Sequence, residues 1–356
     1  MSLLDQAVEV RAGEELDEGV LRSYLAAHIE NVCESEPLVI TQFPGGHSNL
    51  TYLVRQGSWQ AVLRRPPVGS KVKAAHDMGR EYRVLSRLGP AFAKAPTPLA
   101  YCEDEAVLGC SFYVMERVEG FILRKEFPDE IAPTPTLLAD MCKALVDTLA
   151  EVHEVDYEGI GLGELGRPDG YVQRQVEGWT RRYRDAKTDD IATVDTVTKW
   201  LADNIPTSAR AALIHNDYKF DNLVLSPDDP RTVRGILDWE MTTLGDPLMD
   251  LGGALGYWVQ ADDPAVLHNL RFCPTHLPGM FTRQQLADYY AERTGAEISN
   301  MLFYYVFGLF KSLVIVQQIY FRFHKGLTTD PRFGQFIHAV GILSSQAQRA
   351  IDRGHL

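Results

Sequence analysis

One stretch constrains this chain more than any other: Leu213-Ile214-His215-Asn216-Asp217-Tyr218-Lys219-Phe220-Asp221-Asn222-Leu223-Val224-Leu225, followed thirteen residues later by Asp238. Two apolar runs bracket a loop that carries His, Asp, Lys and Asn at fixed offsets. A third run, Gly235-Ile236-Leu237, ends in Asp238-Trp239-Glu240. A short loop packed from below by apolar strands holds its polar side chains in fixed register at a cleft. The set suits phosphoryl transfer, which needs an aspartate to orient or accept the proton of an attacking hydroxyl, oxygen ligands for a metal, and a cation for the phosphate charge. Magnesium takes few protein ligands and completes its shell with water and phosphate oxygens, so Asn222 and Asp238 are enough. Taken singly, each of these residues is better explained as a loop polar group capping a turn; the ordered set carries the reading.

Around this segment the chain divides into two textures. Leu16, Val20, Leu21, Tyr24, Leu25 and Ile29 share one helical face, which predicts a helix over about 14–31. Strands follow at Leu38–Gln42, Leu50–Arg55 and Trp59–Arg64, joined by the loop Pro44-Gly45-Gly46-His47-Ser48-Asn49 and the turn Gln56-Gly57-Ser58. A helix over about 74–88 and strands near Pro98–Glu103 and Ser111–Arg117 complete a small sheet. After Gly120 the pattern is mostly helical: Leu137–Val155, one or two helices in 171–204, and nearly everything from Leu248 onward. The 356 residues suit two lobes, and 45% hydrophobic with 23% charged residues is ordinary globular composition. The expected fold is α+β: a small antiparallel sheet lobe with one long helix, and a larger, mainly α-helical lobe. The expected divisions are an N-terminal helical extension at 1–34, the sheet lobe at 35–117 and the helical lobe at 118–356.

A net charge of −13 argues against a nucleic-acid partner, whose phosphates demand a basic surface. It does not exclude a local nucleotide pocket. The five cysteines are odd in number and widely spaced, without zinc spacing, and read as reduced thiols of a cytoplasmic protein. The N-terminus lacks the apolar core of a signal peptide. The most apolar run, Met301–Tyr320, carries Lys311 at its middle, so it reads as a buried core helix and not a membrane span. Asn49-Leu50-Thr51 matches a glycosylation sequon by chance.

At the central segment the chain resembles the aminoglycoside phosphotransferase/choline kinase family, whose fold is similar to that of protein kinases. His215-x-Asp217-x4-Asn222 matches the family's catalytic-loop pattern. Asp238-Trp239-Glu240 matches the place of the kinases' metal-binding Asp-Phe-Gly. Gly245-Asp246-Pro247-Leu248-Met249-Asp250-Leu251 is similar to the family's Gly-Asp-Pro-x-x-Asp-Leu, whose second acid helps hold the catalytic loop. The resemblance covers about residues 35–345. It implies an ATP- and magnesium-dependent kinase moving the γ-phosphate to a hydroxyl of a small molecule. Asp217 would be the catalytic base, Lys219 the phosphate-contacting lysine, His215 an orienting residue of the catalytic set, and Asn222 and Asp238 the metal ligands.

The N-terminal lobe fits the same resemblance. Phe43–Asn49 lies where kinases place a loop over the ATP phosphates, so Gly46, Ser48 and Asn49 are candidate nucleotide contacts. Arg64 stands where kinases carry a phosphate-binding lysine, and Glu81 would be its partner on the following helix. Arginine is a departure from most of the family and needs different geometry. Leu63-Arg64-Arg65-Pro66-Pro67 looks like the Leu-Arg-x-Pro-Pro of a branch associated with acyl-CoA dehydrogenases. Met115, Glu116 and Val118 resemble the hinge that receives adenine. Tyr257, Trp258, Tyr320 and Arg322 are candidates for the acceptor side, with helix packing at least as good an account of them.

Gly161-Leu162-Gly163-Glu164-Leu165-Gly166 spells G-x-G-x-x-G, but no strand precedes it and no helix follows, so it reads as a loop. No Gly-x-Ser-x-Gly elbow is present. A protein kinase is disfavoured by the lack of an Ala-Pro-Glu segment and of a long activation loop. A nucleotide-binding regulator without efficient catalysis is the rival reading. The expected partners are ATP and a small hydroxylated acceptor, with no nucleic acid and no membrane, and with room for a homodimer.

Overall fold

Alternation along β-strands builds the first lobe, in a computed structural model that describes residues 4–44, 49–67, 77–328 and 330–356. Helix α1 (Glu18–His28) precedes β1 (Val39–Gln42), β2 (Leu50–Gln56) and β3 (Trp59–Arg65). Helix α2 (Met78–Leu88), β4 (Pro98–Cys102), the short α3 (Glu105–Leu108) and β5 (Phe112–Glu116) follow. The sheet is antiparallel throughout, in the order β1-β2-β3-β5-β4. The expected meander accounts for the first three strands, after which β5 pairs with β3 and leaves β4 at the edge.

Successive side chains of a strand point to opposite faces. Ala61 and Leu63 of β3 join Tyr52, Val54, Phe112 and Val114 in a cluster with Leu21 and Leu25 of α1 and with Ile29, just past its C-terminus. Val62 faces the other way, where Tyr113 and Met115 pack with Val84, Leu85 and Leu88 of α2. Arg64, two residues after Val62, therefore shares the face that α2 covers. Asp77 caps α2 by accepting the Arg80 N–H at 2.9 Å. The helix is seen from Met78 on, and positions 74–76 of the expected 74–88 lie outside the described residues.

The second lobe runs β6 (Phe121–Ile122), α4 (Pro135–His153), α5 (Tyr171–Ala186), α6 (Ala192–Asp203), β7 (Ala212–Ile214), β8 (Leu223–Leu225), β9 (Val233–Ile236) and β10 (Thr243–Gly245). Five helices complete it: α7 (Pro247–Tyr257), α8 (Ala265–His268), α9 (Arg283–Thr294), α10 (Met301–His324) and α11 (Phe336–Arg353). The apolar runs that bracket the central loop belong to different sheets. β7 pairs with β10, whereas β8 lies between β6 and β9. The loop thus crosses from one small sheet to another, and each end is anchored separately.

Helix α10 is long and apolar enough to cross a membrane, but 72% of its apolar window is buried within the fold, as expected of a core helix. It crosses α7 almost backbone to backbone. A Cβ placed on Gly308 would lie 2.1 Å from the Gly252 carbonyl oxygen, and one on Gly252 would lie 2.3 Å from that of Tyr304. Gly308→Ala must therefore push the helices apart, at the roughly 1–3 kcal/mol typical of overpacking. Urea unfolding should show that loss, and an unchanged midpoint would contradict the crossing.

Candidate active site

The loop between β7 and β8 is gripped from below by α7. Asp246 caps that helix at the Leu248 N–H, and Pro247 supplies its first turn. One turn on, Asp250 accepts the His215 N–H at 2.6 Å with Oδ2 and the Asn216 N–H at 2.7 Å with Oδ1. His153 of α4 reaches Oδ2 at 3.2 Å. Burial pushes the Asp250 carboxyl up, but these neighbours outweigh it and hold the group below the usual carboxylate range. Asn216 takes a left-handed backbone conformation, φ 68°.

His215 is fully buried. Its Nδ1 accepts the Asp217 N–H at 3.2 Å, which leaves Nε2 to donate to the Leu237 carbonyl at 2.9 Å. A ring so used is neutral, and burial lowers its pKa further. His215 braces the loop against the strand that leads to Asp238.

Asp217 projects from the loop with about a fifth of its side chain exposed. Its Oδ2 accepts from Lys219 and, at 3.0 Å, from Asn222 Nδ2; its Oδ1 accepts from Tyr257 O–H at 2.8 Å. A carboxylate offers about four lone-pair positions. Three are taken, and the remaining one is on Oδ1. Burial raises the pKa of Asp217, but Lys219, Lys311 and Tyr257 together bring it below the ordinary value, so the group is a carboxylate at neutral pH. The Lys219 ammonium sits 4.9 Å from the centre of the Tyr257 ring.

Asn222 and Asp238 are brought together by the β8–β9 hairpin. Leu223 pairs with Ile236, and the Leu237 N–H donates to the Asn222 carbonyl at 2.8 Å. Asn222 spends its amide N–H groups on Asp217, which leaves Oδ1 as its remaining side-chain acceptor. Asp238 is also left-handed, φ 69°. Two hard oxygens, one amide and one carboxylate, fit a magnesium ion that keeps several waters. No cluster of three or more His, Cys, Asp or Glu suited to a metal occurs among the described residues.

Arg64 forks between two acids. Its Nη1 lies 2.6 Å from Glu81 Oε1, and its Nη2 lies 2.7 Å from Asp238 Oδ1. Glu81 Oε1 also accepts the Trp239 N–H at 3.1 Å. The expected pair on β3 and α2 is present, and it extends to the candidate metal ligand. Arg80 adds a second tie by donating to the carbonyls of Glu240 (2.6 Å) and Thr242.

Gly46 and Ser48 lie outside the described residues. Asn49 is buried, and its amide donates to Glu240 Oε2 at 2.7 Å, which gives the sequon no exposed asparagine. Met115 is buried at the end of β5. The Glu116 N–H is committed to the Thr97 carbonyl at 2.8 Å, so of the backbone groups expected to meet adenine this donor is already used. The connector then lies on the β8–β9 hairpin: a Cβ on Gly235 would fall 2.9 Å from Val118 Cγ1, and one on Gly120 would fall 2.3 Å from the Leu225 carbonyl.

Of the acceptor-side candidates, Tyr257 reaches Asp217 itself. Trp258 is a buried packing residue that donates to the Phe281 carbonyl at 2.9 Å. Tyr320 stands against His324, nine residues beyond Lys311 on α10, a rise of about 13 Å that takes it and Arg322 away from the loop. Lys311 is the residue sequence reasoning missed: its ammonium donates to the Asn216 carbonyl. The Gly161–Gly166 stretch is a loop, as expected. A small apolar cavity of about 20 Å³ lies beneath Lys219 and Tyr257, walled by Leu145, Leu251, Trp258 and Leu286.

A family model described as "Phosphotransferase enzyme family" matches residues 39–275. Acyl-CoA dehydrogenase family member 10 of Mus musculus is 33% identical over 307 residues, covering 86% of this chain and 28% of that protein. The chain spans less than half the length of the curated relatives it matches. A solved Ralstonia eutropha JMP134 protein described as a "putative aminoglycoside phosphotransferase" is 29% identical with a TM-score of 0.79, covering 95% of this chain and 99% of the other. A thermostable mutant of aminoglycoside phosphotransferase APH(4)-Ia, solved with AMP-PNP and hygromycin B, is 14% identical with a TM-score of 0.58 over 94% of this chain and 98% of that one; this likeness concerns the fold alone.

Proposed function

The chain belongs to the phosphotransferase enzyme family, and we propose that it uses ATP and magnesium to phosphorylate a hydroxyl of a small molecule. The observation that carries this reading is the convergence of Asp217, Asn222 and Asp238 at the ends of β7, β8 and β9.

The acceptor O–H would donate to the open position on Asp217 Oδ1 while its oxygen attacks the γ-phosphorus and ADP leaves. Because the Asp217 carboxylate is held in its ionised form, its work is to orient the hydroxyl and take the proton late. Lys219 and Arg64 supply positive charge near the transferred group. Asn222 and Asp238 would hold the magnesium, which neutralises phosphate oxygens when bound.

For the acceptor we propose a hydroxylated acyl compound. The names of the relatives, acyl-CoA dehydrogenase family members, support it. The rival, a nucleotide-binding regulator, is favoured by one observation: the Arg64 guanidinium binds Asp238 Oδ1 and competes there with magnesium. Single-turnover assays with ATP against hydroxyacyl compounds and other hydroxylated metabolites separate the readings. Phosphorylated product supports the kinase; tight nucleotide binding without product from any acceptor supports the regulator.

A further inference from the structure

We propose that Lys311 is a positioning residue for Asp217, clamping the backbone from which that carboxylate projects. The role deepens the phosphotransferase reading and rests on it for its catalytic consequence.

The lysine is an anomaly where it stands. It is the sole charged residue of Met301–Phe321 in a helix window of mean hydropathy 1.5, and it is 7% exposed. Taking an ammonium out of water costs several kcal/mol, and a leucine or methionine would fill the space without that cost. No carboxylate lies within ion-pair distance of its ammonium among the described residues. Its polar partner is a main-chain group, the carbonyl of Asn216, with the Trp179 ring 5.9 Å away.

Asn216 is therefore held at both ends by buried groups of opposite charge. The Asp250 carboxylate takes its N–H and the Lys311 ammonium donates to its carbonyl. A left-handed φ of 68° is tolerated by asparagine better than by most residues but is still less favourable than for glycine, and the contacts around Asn216 hold it there. The next residue is Asp217, whose direction follows from that peptide. The Gly252–Gly308 crossing explains why both clamps reach one residue. Gly252 lies two positions after Asp250 and Gly308 three before Lys311, so the near-contact of backbones sets the two side chains in register behind the loop.

The test compares full-length Lys311→Met, Lys311→Gln and Gln317→Leu. Gln317 is a buried donor lower on the same helix, bonded to the Ala186 carbonyl at 2.8 Å and remote from the loop. Three quantities are read: phosphate release from Mg-ATP with water as acceptor, affinity for Mg-AMP-PNP, and amide hydrogen exchange over residues 212–222. For Lys311→Met we expect turnover to fall by about tenfold to a hundredfold, the scale of residues that orient a first-contact group. Nucleotide affinity should hold within about twofold, and exchange in 212–222 should quicken about tenfold or more. Lys311→Gln, which keeps a donor, should recover part of both, and Gln317→Leu should leave loop exchange and turnover alone. Unchanged loop exchange in Lys311→Met overturns the proposal, as does an equal change in Gln317→Leu. Should the wild type release no phosphate, the exchange measurements still decide the clamp, and the failure then belongs to the proposed reaction.

Discussion

Asp217→Asn is expected to cut phosphate transfer by about 10²–10⁴-fold while leaving nucleotide affinity nearly unchanged, the usual penalty for losing a positioned acid–base group. The asparagine matches the aspartate in shape, so packing is preserved. What changes is the count of acceptors. Lys219, Asn222 and Tyr257 all donate to the carboxylate, and an amide NH2 in place of one oxygen confronts at least one of them with another donor. The position left for an acceptor hydroxyl loses its negative charge at the same time. Rapid-quench single turnover with [γ-32P]ATP and titration with AMP-PNP measure the two effects separately. A variant that retains more than about a tenth of wild-type transfer would remove Asp217 from the centre of the mechanism.

Most of this site could be read from the sequence, because its residues are close together in the chain. His215, Asp217, Lys219 and Asn222 fall within eight positions, and Asp238 is one short hairpin away. Alternation along β3 and helical periodicity along α2 also place Arg64 opposite Glu81, since both elements are long enough to show a period. The short strands were not legible. β6 has two residues and β10 has three, too few for alternation, so the division of the bracketing runs between two sheets emerged only in three dimensions. Tyr257 and Lys311 come from helices 40 and 94 positions beyond Asp217. Tyr257 was visible only as an aromatic at the end of a helix, and Lys311 only as a charge where none belongs. A charge in the middle of an apolar helix argues against a membrane span and equally signals a buried polar partner.

The largest structural effect is expected at Arg64. Removing one member of a buried ion pair leaves the other uncompensated, at a cost of about 3–5 kcal/mol. Glu81 is that other member. Its side chain is 1% exposed, and without Arg64 its charge is left to neutral donors, the Trp239 N–H and the Tyr113 hydroxyl. Arg64→Met should therefore lower stability by roughly that amount, and the loss should depend on pH. Burial pushes Glu81 upward and Arg64 pulls it back, so deleting the arginine lifts the folded-state pKa further above the unfolded one, about 4.3. A carboxyl raised in the folded state contributes stability below the unfolded pKa and loses it as pH rises through the folded value. The deficit of Arg64→Met against wild type should thus be smallest near about pH 4–5 and greatest at neutral pH and above. Arg64→Met with Glu81→Met should recover much of the loss, because two apolar side chains replace the pair and no charge is stranded. Arg64→Lys is the informative intermediate. A lysine carries one compact ammonium and cannot fork, so it can satisfy Glu81 or Asp238 but not both. If it keeps the stability and releases Asp238, magnesium affinity should rise above wild type, which would identify the arginine as a brake on the metal site. Denaturant unfolding from pH 4.5 to 8 and magnesium titration with AMP-PNP present check both halves, and a double variant as unstable as Arg64→Met alone would show that the pair is not the source.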